Sequence, residues 1–71
     1  MTMGDNDEHA TELTPRIGRP ATGALTLAGY TTYESLTRVS AKELLALHGV
    51  GPRAISILEE ELAARGLAFR R

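Results

Sequence analysis

Near the C-terminal end the chain reads Leu44-Leu45-Ala46-Leu47-His48-Gly49-Val50-Gly51-Pro52-Arg53-Ala54. A leucine-rich segment runs into Gly-Val-Gly, and a proline follows at once. Two glycines one residue apart permit a backbone turn too tight for side chains. Proline suits the first position of a helix, because its φ is preset and its missing N–H would be unpaired there anyway. The segment therefore predicts a helix, a short hairpin and a second helix starting at Pro52. Amides of the hairpin and of the next first turn then point at one spot outside the protein. Such a spot binds an anion, most often a phosphate.

At 71 residues the chain makes one small domain, and a chain of this size buries only about 60% of its unfolded surface. There is no cysteine, so neither a disulfide nor a thiolate-held metal staples it. No apolar run approaches the roughly 18 residues that a membrane span needs. Met1-Thr2-Met3-Gly4-Asp5-Asn6-Asp7 is acidic where a secretory signal would be basic. These features predict a soluble cytoplasmic protein with no membrane partner and no cofactor. The net charge of −1 conceals an asymmetry. Residues 1–12 carry four carboxylates and no Lys or Arg, whereas residues 13–71 carry eight cations against five carboxylates, a net +3. That balance is compatible with nucleic acid, although strong binders are usually far more basic.

Residues 1–12 show no apolar periodicity and read as a disordered acidic tail, leaving 13–71 as the domain. Leu13 to Gly18, with Pro15 inside it, is an extended or turn-like lead-in. From Pro20, the spacing of Ala21, Ala24, Leu25 and Ala28 marks one face of a helix, and Gly29 stands where a helix takes a left-handed exit. Thr31-Thr32-Tyr33-Glu34 and Ser40-Ala41-Lys42-Glu43 both match the capping box, which predicts short helices at roughly 32–38 and 41–47. The last helix is expected from Pro52 to about Arg65, with Ala54, Ile55, Leu58 and Leu62 buried and Gly66 ending it. Leu67 and Phe69 are expected to fold back on the core. No stretch alternates as a half-buried strand would. The predicted fold is all-α, a compact bundle of four to five short helices.

A repeat runs through this pattern. Ile17-Gly18-Arg19-Pro20-Ala21-Thr22-Gly23-Ala24-Leu25 matches Val50-Gly51-Pro52-Arg53-Ala54-Ile55-Ser56-Ile57-Leu58 at an offset of 33 residues. Each begins with a β-branched residue and Gly, continues with Arg and Pro in either order and Ala, and reaches Leu at the ninth position. Two hairpin-helix units around a shared core are expected. The first copy has Arg16 where the second has Gly49, and Pro15 where it has His48. Its hairpin is expected to be degenerate, with Arg16 and Arg19 as cationic phosphate contacts.

Leu44 to Leu58 resembles the helix-hairpin-helix DNA-binding motif, which His48-Gly49-Val50-Gly51-Pro52-Arg53-Ala54 fits at each defining position. The longer stretch from Leu13 to Phe69 resembles the C-terminal domain of the bacterial RNA polymerase α subunit, with which it shares a closing Arg65-Gly66-Leu67. It is more similar still to small stand-alone bacterial proteins of that fold. The resemblance implies backbone phosphate contacts from the amides of Gly49, Gly51, Arg53 and Ala54, with Val50 and His48 in the same turn. Where the motif binds a potassium or sodium ion, the carbonyls of Leu45, Leu47 and Val50 would hold it. The polymerase domain reads the minor groove with an Arg and an Asn on its first helix. The nearest positions here are Pro20, beside Arg19, and Gly23, so the implied binding is weak and independent of base sequence.

Arg16, Arg19, Lys42 and Arg53 are the flanking cations of this expected DNA-backbone site. Arg53 sits at the helix end whose dipole favours anions, a conflict that a phosphate partner would remove. Glu59-Glu60-Glu61 reads as a solvated face, with Glu61 paired to Arg65 at i, i+4; Glu60 or Glu61 near the DNA face would repel phosphate. Ser35, Ser40 and Ser56 lack triad partners, and the two separated histidines make no metal site. No catalytic role is expected. The alternative reading is a protein-interaction module of the same fold that docks on a DNA-processing or transcription partner.

Overall fold

The computed structural model describes residues 11–71, so the tail reading for 1–10 lies outside the described residues. Among them are four α-helices and no strand. A 3₁₀ turn at Pro15–Ile17 leads into α1 (Arg19–Ala28), followed by α2 (Tyr33–Leu36), α3 (Ala41–Leu45) and α4 (Pro52–Ala64). None of these helices is long and apolar enough to cross a membrane.

The core is built from leucines and β-branched residues contributed by every element. Leu25, Leu36, Leu44, Leu58 and Leu62 are its most deeply buried side chains. The expected α4 stripe is buried, and Ile57 joins it. On α1, Ala21 and Leu25 are buried, while Ala28, expected on the same face, is exposed. The helix closes there: Gly29 takes φ 91 and Tyr30 N–H reaches back to the Leu25 carbonyl at 2.8 Å. Gly66, at φ 74, ends α4 with the same pair of bonds, Gly66 N–H to Ala63 and Leu67 N–H to Leu62. This double closure is the Schellman arrangement. It stops α4 at Ala64, with Arg65 as the capping residue.

The middle helices are shorter than the apolar pattern predicts. Thr37, Arg38 and Val39 donate to carbonyls three residues back, as do Ala46 and Leu47. These tighter bonds replace the last α-turn at each end. The second capping box forms as expected, with Ser40 Oγ accepting from Glu43 N–H and Glu43 accepting from Ser40 N–H. The first shifts by one residue: Thr32 is the cap and Ser35 its partner, in place of Thr31 and Glu34. Thr31 is held elsewhere, its carbonyl accepting from Glu12 N–H at 2.8 Å.

Glu12, the last residue of the expected tail, hydrogen-bonds to the folded part. Its carboxylate accepts from Tyr33 N–H at 2.9 Å, so it serves the folded domain as an additional acceptor at the start of α2. Tyr33 then ties three parts together. Its buried ring has the Arg65 guanidinium 3.9 Å from its centroid, and its hydroxyl accepts from Thr14 N–H at 2.8 Å. Leu67 and Phe69 pack against the core as expected. Beyond them Arg70 N–H donates to the Val39 carbonyl, and the Arg70 guanidinium reaches the Arg38 carbonyl and both Glu43 oxygens. The C-terminal residues thus form a strap pinned across the start of α3.

Candidate functional site

The hairpin between α3 and α4 is closed by one backbone bond, Val50 N–H to the Leu47 carbonyl at 3.2 Å. Gly49 supplies the reversal with φ 102, and Val50 drops its side chain into the core. Gly51 is extended and α4 begins on Pro52. No side chain caps α4. Its first helical bond is Ile55 N–H to the Gly51 carbonyl, so the amides of Arg53 and Ala54 have no acceptor within the helix. A methyl group placed on Gly51 would meet nothing within 4 Å. The residue that precedes these two free amides is thus open on its side-chain face.

Gly49 is in the opposite situation. A Cβ there would lie 2.9 Å from the Pro20 carbonyl oxygen and 3.6 Å from the Ala24 Cβ. The hairpin is thus seated against the first turn of α1, which brings Arg19 to the same region as Arg53. Both arginines are exposed, and neither makes an ion pair among the described residues. Two separate segments meet here, and the contact passes through a glycine because no other side chain would fit.

The repeat is visible in the hydrogen bonds. Ile17 N–H to Thr14 O corresponds to Val50 N–H to Leu47 O, and Thr22 N–H to Gly18 O corresponds to Ile55 N–H to Gly51 O. Both helices have a glycine cap, an early proline and no side-chain cap. The turns before them differ. The second copy places its positive φ at Gly49, whereas the first places it two positions later, at Gly18 with φ 92. Arg16, the counterpart of Gly49, is not left-handed, so the first turn winds as 3₁₀ in place of the hairpin.

Two of the expected flanking charges lie elsewhere. Arg16 faces Glu60 at 3.7 Å and Glu61 at 3.4 Å. Glu60 is eight residues along α4 from Pro52, about 12 Å at 1.5 Å per residue. The 3₁₀ turn packs on α4 and carries Arg16 to that helix's acidic face, away from the hairpin. The same contacts answer the expected repulsion from Glu60 and Glu61, since Arg16 stands over both and Arg65 pairs with Glu61 at 2.8 Å. Lys42 lies in the first turn of α3, the end remote from the hairpin. His48 is exposed at the turn. Val50 and Ala54 place their side chains in the core, leaving only backbone to the site. Of the three carbonyls considered for a monovalent cation, that of Leu47 accepts the Val50 amide.

Sequence reasoning missed Pro20 and Ala24, which form the seat for Gly49. Their only local trace is the small residue at position 24. Glu43 was read as a cap alone, yet its carboxylate also holds Arg70. The Ser40 amide first, and then the Arg70 guanidinium, keep it below the usual carboxylate range.

Comparison of the chain with protein-family models, with curated proteins and with solved structures returns no match.

Proposed function

We propose that this chain is a small non-catalytic module of the helix-hairpin-helix type that binds the DNA phosphate backbone. The observation that carries the reading is the uncapped start of α4. There the amides of Arg53 and Ala54 have no partner among the described residues, Gly51 beside them is open at its Cβ position, and the Arg53 and Arg19 side chains are exposed. A phosphate oxygen would satisfy those amides and favour the positive end of the helix dipole. The contact reads no bases, because the turn offers backbone groups and the α1 start offers Pro20 and Gly23 where base-reading side chains would be needed. One intact hairpin with two nearby cations predicts weak binding, with Kd of about 10⁻⁴ to 10⁻⁶ M at physiological salt.

Fluorescence titration of labelled duplex at two salt concentrations tests this. Binding at about 50 mM salt that weakens as salt rises is the expected result. No binding, or binding indifferent to salt, overturns the reading. Gly51→Glu sharpens it: open space at that position leaves the helical circular dichroism intact, while the added carboxylate abolishes binding.

A further inference from the structure

The strap that follows α4 is fastened to the start of α3 mainly through one side chain. Arg70 N–H donates to the Val39 carbonyl at 2.9 Å, its Nε to the Arg38 carbonyl at 3.1 Å, and its Nη2 to both Glu43 oxygens at 2.8 Å. An exposed ion pair alone contributes little, but a carboxylate gripped by both oxygens alongside two backbone acceptors has a fixed geometry. The same Glu43 carboxylate accepts from Ser40 N–H. From Ser40 the bonds run without a gap to the hairpin. Leu44 N–H donates to the Ser40 carbonyl, Leu47 N–H to the Leu44 carbonyl, and Val50 N–H to the Leu47 carbonyl. The α3 helix itself has only five residues, too few to be stable without such outside support.

We infer that Arg70 is a positioning residue for the hairpin, acting through Glu43 and the capped start of α3. The hairpin is then fixed from two sides. On one side Gly49 is seated on Pro20 and Ala24. On the other, the strap holds the turn of α3 from which the bonds lead to Val50. Docked and released strap are the two arrangements through which such coupling works. With the strap docked, the turn ahead of Arg53 and Ala54 is already ordered, so an anion binds there without the entropy loss of ordering it. Coupling of this kind is reciprocal, and a bound phosphate in turn favours the docked strap. That consequence rests on the DNA-binding reading, whereas the link from Arg70 to the hairpin does not.

The test compares Arg70→Ala with Arg71→Ala in the full chain. Both remove one positive charge, one residue apart, and Arg71 makes no ion pair among the described residues. Amide hydrogen exchange without DNA is expected to quicken about two- to fivefold at Leu47 and Val50 in Arg70→Ala. The α4 amides of Leu58 and Leu62 should change less, and Arg71→Ala should keep the parent rates. Arg70→Lys, which still offers Glu43 a point charge, should recover part of the loss. Unchanged exchange at Val50 in Arg70→Ala, equal acceleration at Val50 and Leu58, or equal effects of the two alanine variants would overturn the inference. In the duplex titration, Arg70→Ala should weaken binding by a similar factor beyond Arg71→Ala, and equal weakening would count against it. A parent that binds no duplex removes the DNA-binding reading alone, because the exchange comparison contains no DNA and decides the link by itself.

Discussion

Gly49 and Gly51 occupy one turn, two residues apart, and have different tasks. Gly49 holds φ 102 with its α-carbon against the Pro20 carbonyl, whereas Gly51 is extended beside empty space. Gly49→Ala should therefore destabilise the protein by about 1–3 kcal/mol, the typical cost of a strained backbone at a non-glycine residue. Gly51→Ala should stay within about 0.5 kcal/mol of the parent, as for unconstrained surface changes. Urea denaturation of the two variants checks both, and equal losses would contradict the assigned roles. The Gly-Val-Gly spacing alone treats the two glycines alike. What separates them is a carbonyl contributed by α1, a long-range contact that leaves no mark on the local pattern.

Among the elements, the helix ends were the most legible, because their chemistry is local. Pro52 starts α4 and Gly66 closes it, as expected; Ser40 and Glu43 cap α3. The destination of Arg16 was not legible, since it depends on which face of α4 the 3₁₀ turn packs against. The additional acceptor at the start of α2 was hidden for a similar reason, its carboxylate coming from Glu12 in a stretch that reads as tail. Glu12→Ala removes that acceptor and should cost about 1 kcal/mol, the usual loss for a helix cap, measured as a lower midpoint in urea. Glu43 carries the pH response of α3 and the strap. Its folded pKa is depressed by the Ser40 amide and then by Arg70. Its stabilising contribution is therefore complete above the ordinary carboxylate range and is lost as pH falls through the depressed folded value. The parent should lose strap order in that acid window. Glu43→Gln should respond less, as read from the Arg70 and Ser40 amide signals during an acid titration.

Among the described residues, charge is distributed so that the acidic face of α4 is answered by Arg16 and Arg65, while Arg19 and Arg53 make no ion pair. On the proposed reading, DNA held at the hairpin would touch few phosphates through the protein's cations. The plot of log affinity against log salt should accordingly have a shallow slope of about −1 to −2 for one or two phosphates. Substituting Arg53→Ala should reduce that slope, whereas Arg16→Ala should leave it unchanged. A steep slope in the parent would point to a larger contact surface than the hairpin.

Both ends of the described chain are also stitched to its middle. Glu12 donates to Thr31, Thr14 to Tyr33 and Arg70 to Val39. Terminal segments ordinarily open on their own, far below the free energy of global unfolding. Here each end closes a loop onto the short helices, which have little support without those closures. At neutral pH, amide hydrogen exchange at Thr14 and Arg70 should then be slowed toward that of the core amides of α4, because freeing either end gives up one of these closures.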